Sequence, residues 1–262
     1  MTARGDKNPV RYQAKSTLLL KDGFFSLLVG IFLALCLTKF ANPVIFDDQV
    51  FAPSGFLEWI FQPWPTYFGY AFIALLVLTG LTMGKIRLDF RPASAFALLL
   101  PLIWLAWQFI SATRTVDVTL TAATLKHFTA CVVCFFLGWF CLGETRNLRP
   151  MHWGLLSGFV VVLWAGLDQH FGGLEETRRF FYAQPDWKNF PPEFIKKVSS
   201  NRIYSTLFYP NTLAAAMVLF LPMCLVAAST LCARRSIALR GTILAALAVG
   251  AGGCLFWSGS KT

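Results

Sequence analysis

The chain has 262 residues, of which 56% are hydrophobic and only 14% charged, with a formal net charge of +10 and a mean hydropathy of +0.58. That is too apolar and too poor in charge for an ordinary water-soluble domain, so the apolar excess has to face lipid. The basic residues are scattered through short segments and not gathered on one helix or tail, which argues against nucleic acid as a partner.

In chain order, Met1 to Lys21 carries Arg4, Lys7, Arg11, Lys15 and Lys21 ahead of an apolar run. The run has no small-residue cleavage site and is followed by Lys39 and Pro43, so it reads as an uncleaved first helix and not as a signal peptide. Apolar blocks then occupy 23–41, 67–83, 93–112, 121–142, 153–171, 211–233 and 241–258. A helix needs about 20 apolar residues to cross roughly 30 Å of hydrocarbon, and only a helix satisfies every backbone amide within one segment of that length. The expected fold is therefore all-α, a polytopic transmembrane bundle of about seven spans forming one transmembrane domain over 1–262. Pro101 and Pro222 fall inside blocks three and six, where each removes a helical hydrogen bond and predicts a kink.

Lys and Arg set the orientation. The N-terminal five, then Lys85, Arg87 and Arg91, then Arg146 and Arg149, then Arg234, Arg235 and Arg240 fall in one set of alternate loops. The short loops of the other set hold only Arg114 and Lys261. Because short loops carry the positive-inside bias, the N-terminus is expected in the cytoplasm and the loop 172–210 outside. In the first outer loop, Phe51 to Trp64 is aromatic and proline-rich but too short to span, so Trp59, Trp64 and Tyr67 are expected to lie along the outer interface. The long outer loop carries Arg178, Arg179, Lys188, Lys196, Lys197 and Arg202. They fit either an anionic ligand at the outer surface or a solvated face balanced by Glu175, Glu176, Asp186 and Glu193, and charge alone favours the second.

Most candidate chemistry dissolves on inspection. The seven cysteines lie in or beside apolar blocks, and the pair Cys131 and Cys134 has no second ligand pair, so they read as small buried hydrophobes and no metal is expected. No Gly-rich phosphate loop, H-E-x-x-H or G-x-S-x-G occurs. His127, His152 and His170 are far apart in sequence. Asp168 and His170, two residues apart near the outward end of the fifth block, do not share a helix face; they fit either the lining of an outer cavity or a polar helix terminus, and the second is favoured.

The strongest signal is Asn201-Arg-Ile-Tyr-Ser-Thr-Leu-Phe-Tyr-Pro-Asn-Thr-Leu-Ala-Ala-Ala, where the outer loop meets the sixth block. Arg202 precedes the hydroxyls of Ser205 and Thr206, and Pro210-Asn211 opens an apolar helix with Asn211 or Thr212 available as an N-cap. A guanidinium, two hydroxyls and the amide-rich end of a helix at the membrane surface suit a phosphate or pyrophosphate.

At these residues the chain resembles the O-antigen ligase and O-antigen polymerase family of polytopic bacterial membrane proteins. Arg202, Ser205, Thr206, Phe208, Pro210, Asn211, Leu213 and Ala214 match the family's first signature. Trp257-Ser-Gly-Ser-Lys-Thr262 resembles the second, with Lys261 where the family more often has Arg. The resemblance implies transfer of a glycan from an undecaprenyl-diphosphate carrier to an acceptor glycan or lipid A core, at the periplasmic face of the bacterial inner membrane, with no nucleotide donor and no required metal or other cofactor. It implies that Arg202 holds the diphosphate with help from Lys261, and that Ser205, Thr206 and Asn211 contribute to substrate binding. The family has about a dozen helices and a further outer loop with a proposed histidine base, so the chain is expected to be the N-terminal part of a longer protein, inactive as a fragment. Two other readings are a transporter or flippase of lipid-linked sugars, disfavoured because ionisable residues near the bilayer midplane are scarce, and a non-catalytic membrane subunit.

Overall fold

The structure, a computed structural model, describes residues 9–44, 50–84, 92–143, 145–185, 187–189 and 192–260. Their α-helices are α1 (Pro9–Thr38), α2 (Phe56–Phe61), α3 (Thr66–Thr82), α4 (Pro92–Ala112), α5 (Val118–Leu137), α6 (Arg149–Asp168), α7 (Leu174–Ala183), α8 (Pro192–Ser199), α9 (Pro210–Leu231) and α10 (Ile237–Trp257), and no strand occurs among the described residues. Arg4, Lys7, Lys85, Arg87, Arg91, Asp186 and Lys261 of the sequence argument lie outside the described residues.

Among the described residues, four helical stretches are long and apolar enough to cross a membrane: Val118–Leu142, Arg149–Ala183, Pro210–Leu231 and Ile237–Trp257. Asp22–Thr38, Thr66–Thr82 and Phe96–Ala112 are apolar but shorter, and 17 residues rise only about 26 Å. These seven stretches coincide with the seven apolar blocks of the sequence. Pro101 and Pro222 lie within continuous helices. The break comes elsewhere, after α6, where a π-helical turn at Gln169–Gly173 leaves helical geometry at Phe171 and Gly172, the latter with φ of 135°. Only glycine adopts that backbone without strain.

The helices show why water is the wrong solvent for them. Along α9, Leu213, Met217, Cys224 and Ala228 are buried, whereas Val218, Leu219, Met223 and Val226 are exposed. The inner set repeats at helical spacing and packs against protein. The outer set has no polar replacement, so this face is as apolar as the core and fits lipid.

The chain forms two compact units. The first comprises the described residues of Met1–Phe32, Pro43–Trp59 and Trp64–Met151, the second those of Leu33–Asn42, Ile60–Pro63 and His152–Thr262. In the first, α4 and α3 pack on α5, and the side chain of Asp117 caps α5 by accepting from Leu120 N at 2.9 Å. Ser26 Oγ accepts from Met151 N at 3.1 Å, fixing the start of α6 against α1. The aromatic segment before α3 packs on itself, with Trp59 and Trp64 rings 4.9 Å apart and Trp64 Nε1 donating to Trp59 O at 3.0 Å.

Glu58 opens that segment. Its carboxylate accepts from Ser54 N at 2.7 Å, Ser54 Oγ at 2.9 Å and Gly55 N at 3.4 Å. The Ser54 amide, then its hydroxyl and the Gly55 amide, hold the acid below the ordinary carboxylate range. A depressed folded-state pKa contributes order above the unfolded value and loses it as pH falls through the folded one. Amide exchange at Ser54 and Gly55, normalised to the unfolded rate, should therefore be slow at neutral pH and quicken below about pH 4. In Glu58→Gln it should be fast throughout.

The second unit has its core where α6, α9 and α10 meet. Leu155, Phe159 and Val162 of α6, Leu213 and Met217 of α9 and Ala251 and Cys254 of α10 are buried, joined by Leu37 of α1 and by Ile203 and Leu207 from the segment before α9. Small residues let these helices approach closely. A Cβ on Gly158 would come 2.7 Å from Ala34 Cα, and one on Gly166 would come 2.8 Å from Cys254 Sγ, the close approach that small residues allow in membrane helix packing. The stretch expected to be an outer loop, 172–210, is largely ordered: α7 buries Leu174 and Phe181, and α8 follows a short 3-10 turn at Trp187–Asn189.

Candidate functional site

Burial alternates along the segment that enters α9. Ile203, Ser205 and Leu207 are buried, whereas Arg202, Tyr204, Thr206 and Phe208 are only partly so. Every second residue therefore anchors the segment in the core of the second unit, and the intervening ones face outward. The backbone departs from an extended strand at two non-glycine residues, Ser205 with φ of 55° and Phe208 with φ of 57°. Leu207 N donates to Tyr204 O at 3.0 Å, and Tyr209 N donates to Leu207 O at 2.6 Å, so each left-handed residue sits inside a tight turn. Such backbone costs of order 1–3 kcal/mol per residue and persists only where the surroundings over-determine it.

Those surroundings are specific. Gln169 Oε1 accepts from Tyr204 N at 3.0 Å and Ser205 N at 2.7 Å, and its Nε2 donates to Ser205 O at 3.1 Å. Ser205 Oγ donates to Val162 O at 2.6 Å, and Thr206 Oγ1 donates to Leu37 O at 2.7 Å. Ile203 N donates to Trp257 O at 3.4 Å. Residues of α1, the α6 terminus and α10 thus grip the segment from three sides. The hydroxyls of Ser205 and Thr206, read from sequence as substrate ligands, have their protons committed to backbone carbonyls, and Ser205 is buried. Their place in the structure is to shape the turn.

Arg202 occupies the position between two helix ends. Its Nε donates to Ser258 O, just past α10, at 2.6 Å, and one terminal nitrogen donates to Asn211 Oδ1 at 2.7 Å. Gly259 lies under the guanidinium with φ of 57°, and a Cβ there would stand 3.4 Å from Arg202 Nε. The carbonyl end of α10 is the negative end of its dipole and favours a cation. Two of the five guanidinium N–H donors are used, which leaves three for a ligand. Among the described residues no carboxylate is ion-paired with Arg202.

Asn211 is not the N-cap. Tyr209 holds that position without a side-chain bond, Pro210 is the first helical residue, and the Asn211 side chain turns to Arg202 instead. Proline suits that first position because its fixed φ is helical and its missing N–H would be unpaired anyway. Between α9 and α10, starting at Ala214, Leu255 and Ser260, runs a mostly apolar groove of about 820 Å³.

Two neighbours complete this arrangement, one passed over in the sequence and one read there chiefly as a polar helix terminus. Gln169 is one. The other is His170, whose ring stacks on Trp257 with centroids 3.8 Å apart and planes 10° from parallel, next in sequence to the carbonyl that holds Arg202. Arg178, by contrast, has four of its five donors engaged: it donates to Val198 O at 3.0 Å, Ser200 O at 2.7 Å and Asn201 Oδ1 at 2.6 Å, and pairs with Glu175 at 3.1 Å. It ties α7 to the end of α8. Burial pushes the Tyr204 phenol up, with Arg178 partly opposing the shift. Among the described residues no three metal-ligating side chains come together.

No family model, no curated protein and no solved structure matches the chain.

Proposed function

We propose that this membrane protein takes part in glycan transfer of the O-antigen ligase or polymerase kind, with its Arg202 cluster binding the diphosphate of an undecaprenyl-linked glycan at the periplasmic face of a bacterial inner membrane. The observation that carries the reading is a guanidinium fixed by Ser258 O and Asn211 Oδ1, free of any described carboxylate, with three donors uncommitted. A diphosphate is the planar-fork match for those donors. The apolar groove that starts beside the cluster is where an isoprenoid tail would run, so the site offers a polar head and an apolar channel in the order a lipid-linked donor needs.

The chemistry follows from that placement. A hydroxyl of the acceptor glycan, or of the lipid A core, attacks the anomeric carbon while the bond from that carbon to the phosphate oxygen breaks. The hydroxyl proton leaves to a base, and the diphosphate departs with an added negative charge. A guanidinium stabilises that charge most as it develops, which lowers the barrier and not merely the ground state. Seven spans with a cytoplasmic N-terminus would put the cluster outside, and Lys261 would add a point charge to the same phosphates.

The face is tested by a cysteine at Ser199, which is exposed at the end of α8, in a cysteine-depleted background. It should react with a membrane-impermeant thiol reagent added from the periplasmic side; reaction only after the cytoplasmic face is opened would reverse the orientation. The chemistry is tested by Arg202→Ala in protein inserted in membranes at normal levels, where retained glycan transfer would remove the diphosphate role.

A further inference from the structure

Lys126 lies two turns into α5, inside a stretch long and apolar enough to span a membrane. It is exposed, and among the described residues it has neither a hydrogen bond nor an ion pair. An unpartnered ammonium at that depth is costly, and such residues are kept where they meet a specific partner. Lys126 lines a groove of about 780 Å³ formed by α3, α4 and α5 within the first unit. Its lining is apolar apart from Tyr70, Lys126 and Thr129, and the Thr129 hydroxyl is bonded back to Leu125 O at 2.8 Å.

The dimensions limit what fits. From Tyr70 to Leu81 the groove follows α3 for about 16 Å, close to half of a hydrocarbon core of roughly 30 Å. That is the reach of an acyl chain within a single leaflet. Side chains on a helix lean toward its N-terminus, so the lysine stem carries its ammonium toward the Asp117 end of α5 and hence toward the headgroup layer.

We propose that this groove binds an anionic glycerophospholipid, one acyl chain lying along α3 and α5 and the headgroup phosphate meeting Lys126. A headgroup of net negative charge is favoured over a zwitterionic one because the latter brings its own ammonium to compete with the lysine for the phosphate. The proposal rests on membrane insertion alone and not on glycan transfer, and it concerns a different unit from Arg202.

The experiment uses the full chain in detergent micelles with phosphatidylglycerol and phosphatidylcholine of identical chains. Wild type should retain phosphatidylglycerol about fivefold more strongly by native mass spectrometry, the effect expected of one lysine at an anionic headgroup. Lys126→Gln should lose the preference and Lys126→Arg keep it. Photoactivatable phosphatidylglycerol should crosslink wild type within 70–81 or 122–133. Equal retention of the two lipids by wild type, an undiminished preference in Lys126→Gln, or crosslinks confined to other segments would each overturn the proposal. So would displacement of phosphatidylglycerol by equimolar polyprenyl phosphate, which would give the groove to a carrier lipid.

Discussion

Arg202→Ala should lower glycan transfer by the membrane-inserted protein by about two to three orders of magnitude, the cost of removing one preorganised charge donor from a transition state. Arg202→Lys should fall between wild type and alanine. Lysine keeps the charge but cannot reach Ser258 O and Asn211 Oδ1 together while presenting a fork to the phosphates. The intermediate value separates chemistry from packing, because a purely structural arginine would fail as badly when replaced by lysine as when replaced by alanine. The assay is transfer of labelled glycan in membranes that contain equal amounts of inserted protein.

Gln169→Leu should have the largest effect on stability. The substitution leaves Tyr204 N and Ser205 N without their acceptor and Ser205 O without its donor, and an unsatisfied partly buried polar group costs about 1–3 kcal/mol. Two or three such groups would release the left-handed turn at Ser205, whose strain the side chain of Gln169 holds in place. The expected result is a lower melting temperature in detergent, with new protease cleavage confined to residues 201–209. Gln169→Glu should be milder, since a carboxylate still accepts from both amides but sets an oxygen against Ser205 O. Wild-type melting in Gln169→Leu would mean that the turn is held by Ser205 Oγ and Thr206 Oγ1 alone.

Spans and site differed in how well the sequence exposed them. Apolar blocks are legible because lipid imposes one rule, twenty or so residues without charge, along the whole helix. Arg202 and Asn211 were legible as neighbours because nine residues of chain and a proline-started helix bring them together. Gln169 was not, since its partners are 35 and 36 residues on, and a glutamine at a helix end looks like any solvated polar residue. His170 was visible as a polar residue at a helix end, but its stacking on Trp257 is a contact with a distant part of the chain that spacing does not show. Ser205 and Thr206 differ again, because their hydrogen bonds depend on burial. Hydroxyls beside an arginine read as ligands, but alternating burial turns Ser205 inward, and the nearest acceptors are backbone carbonyls of α6 and α1.

The α9 cap carries the same lesson at smaller scale. Asn is a favoured N-cap, yet one position past Pro210 it is already inside the helix, and its oxygen is free to orient the guanidinium. The helix start makes no side-chain cap bond, and the positive end of its dipole lies at Asn211, which holds the guanidinium.

The most direct measurement is the affinity of the purified chain, in lipid nanodiscs, for a short-chain polyprenyl diphosphate. Wild type should bind it, and Arg202→Ala should weaken binding about ten- to a hundredfold, the range for losing charge-assisted hydrogen bonds. Equal affinity in the two proteins would contradict the assignment of Arg202 to the diphosphate.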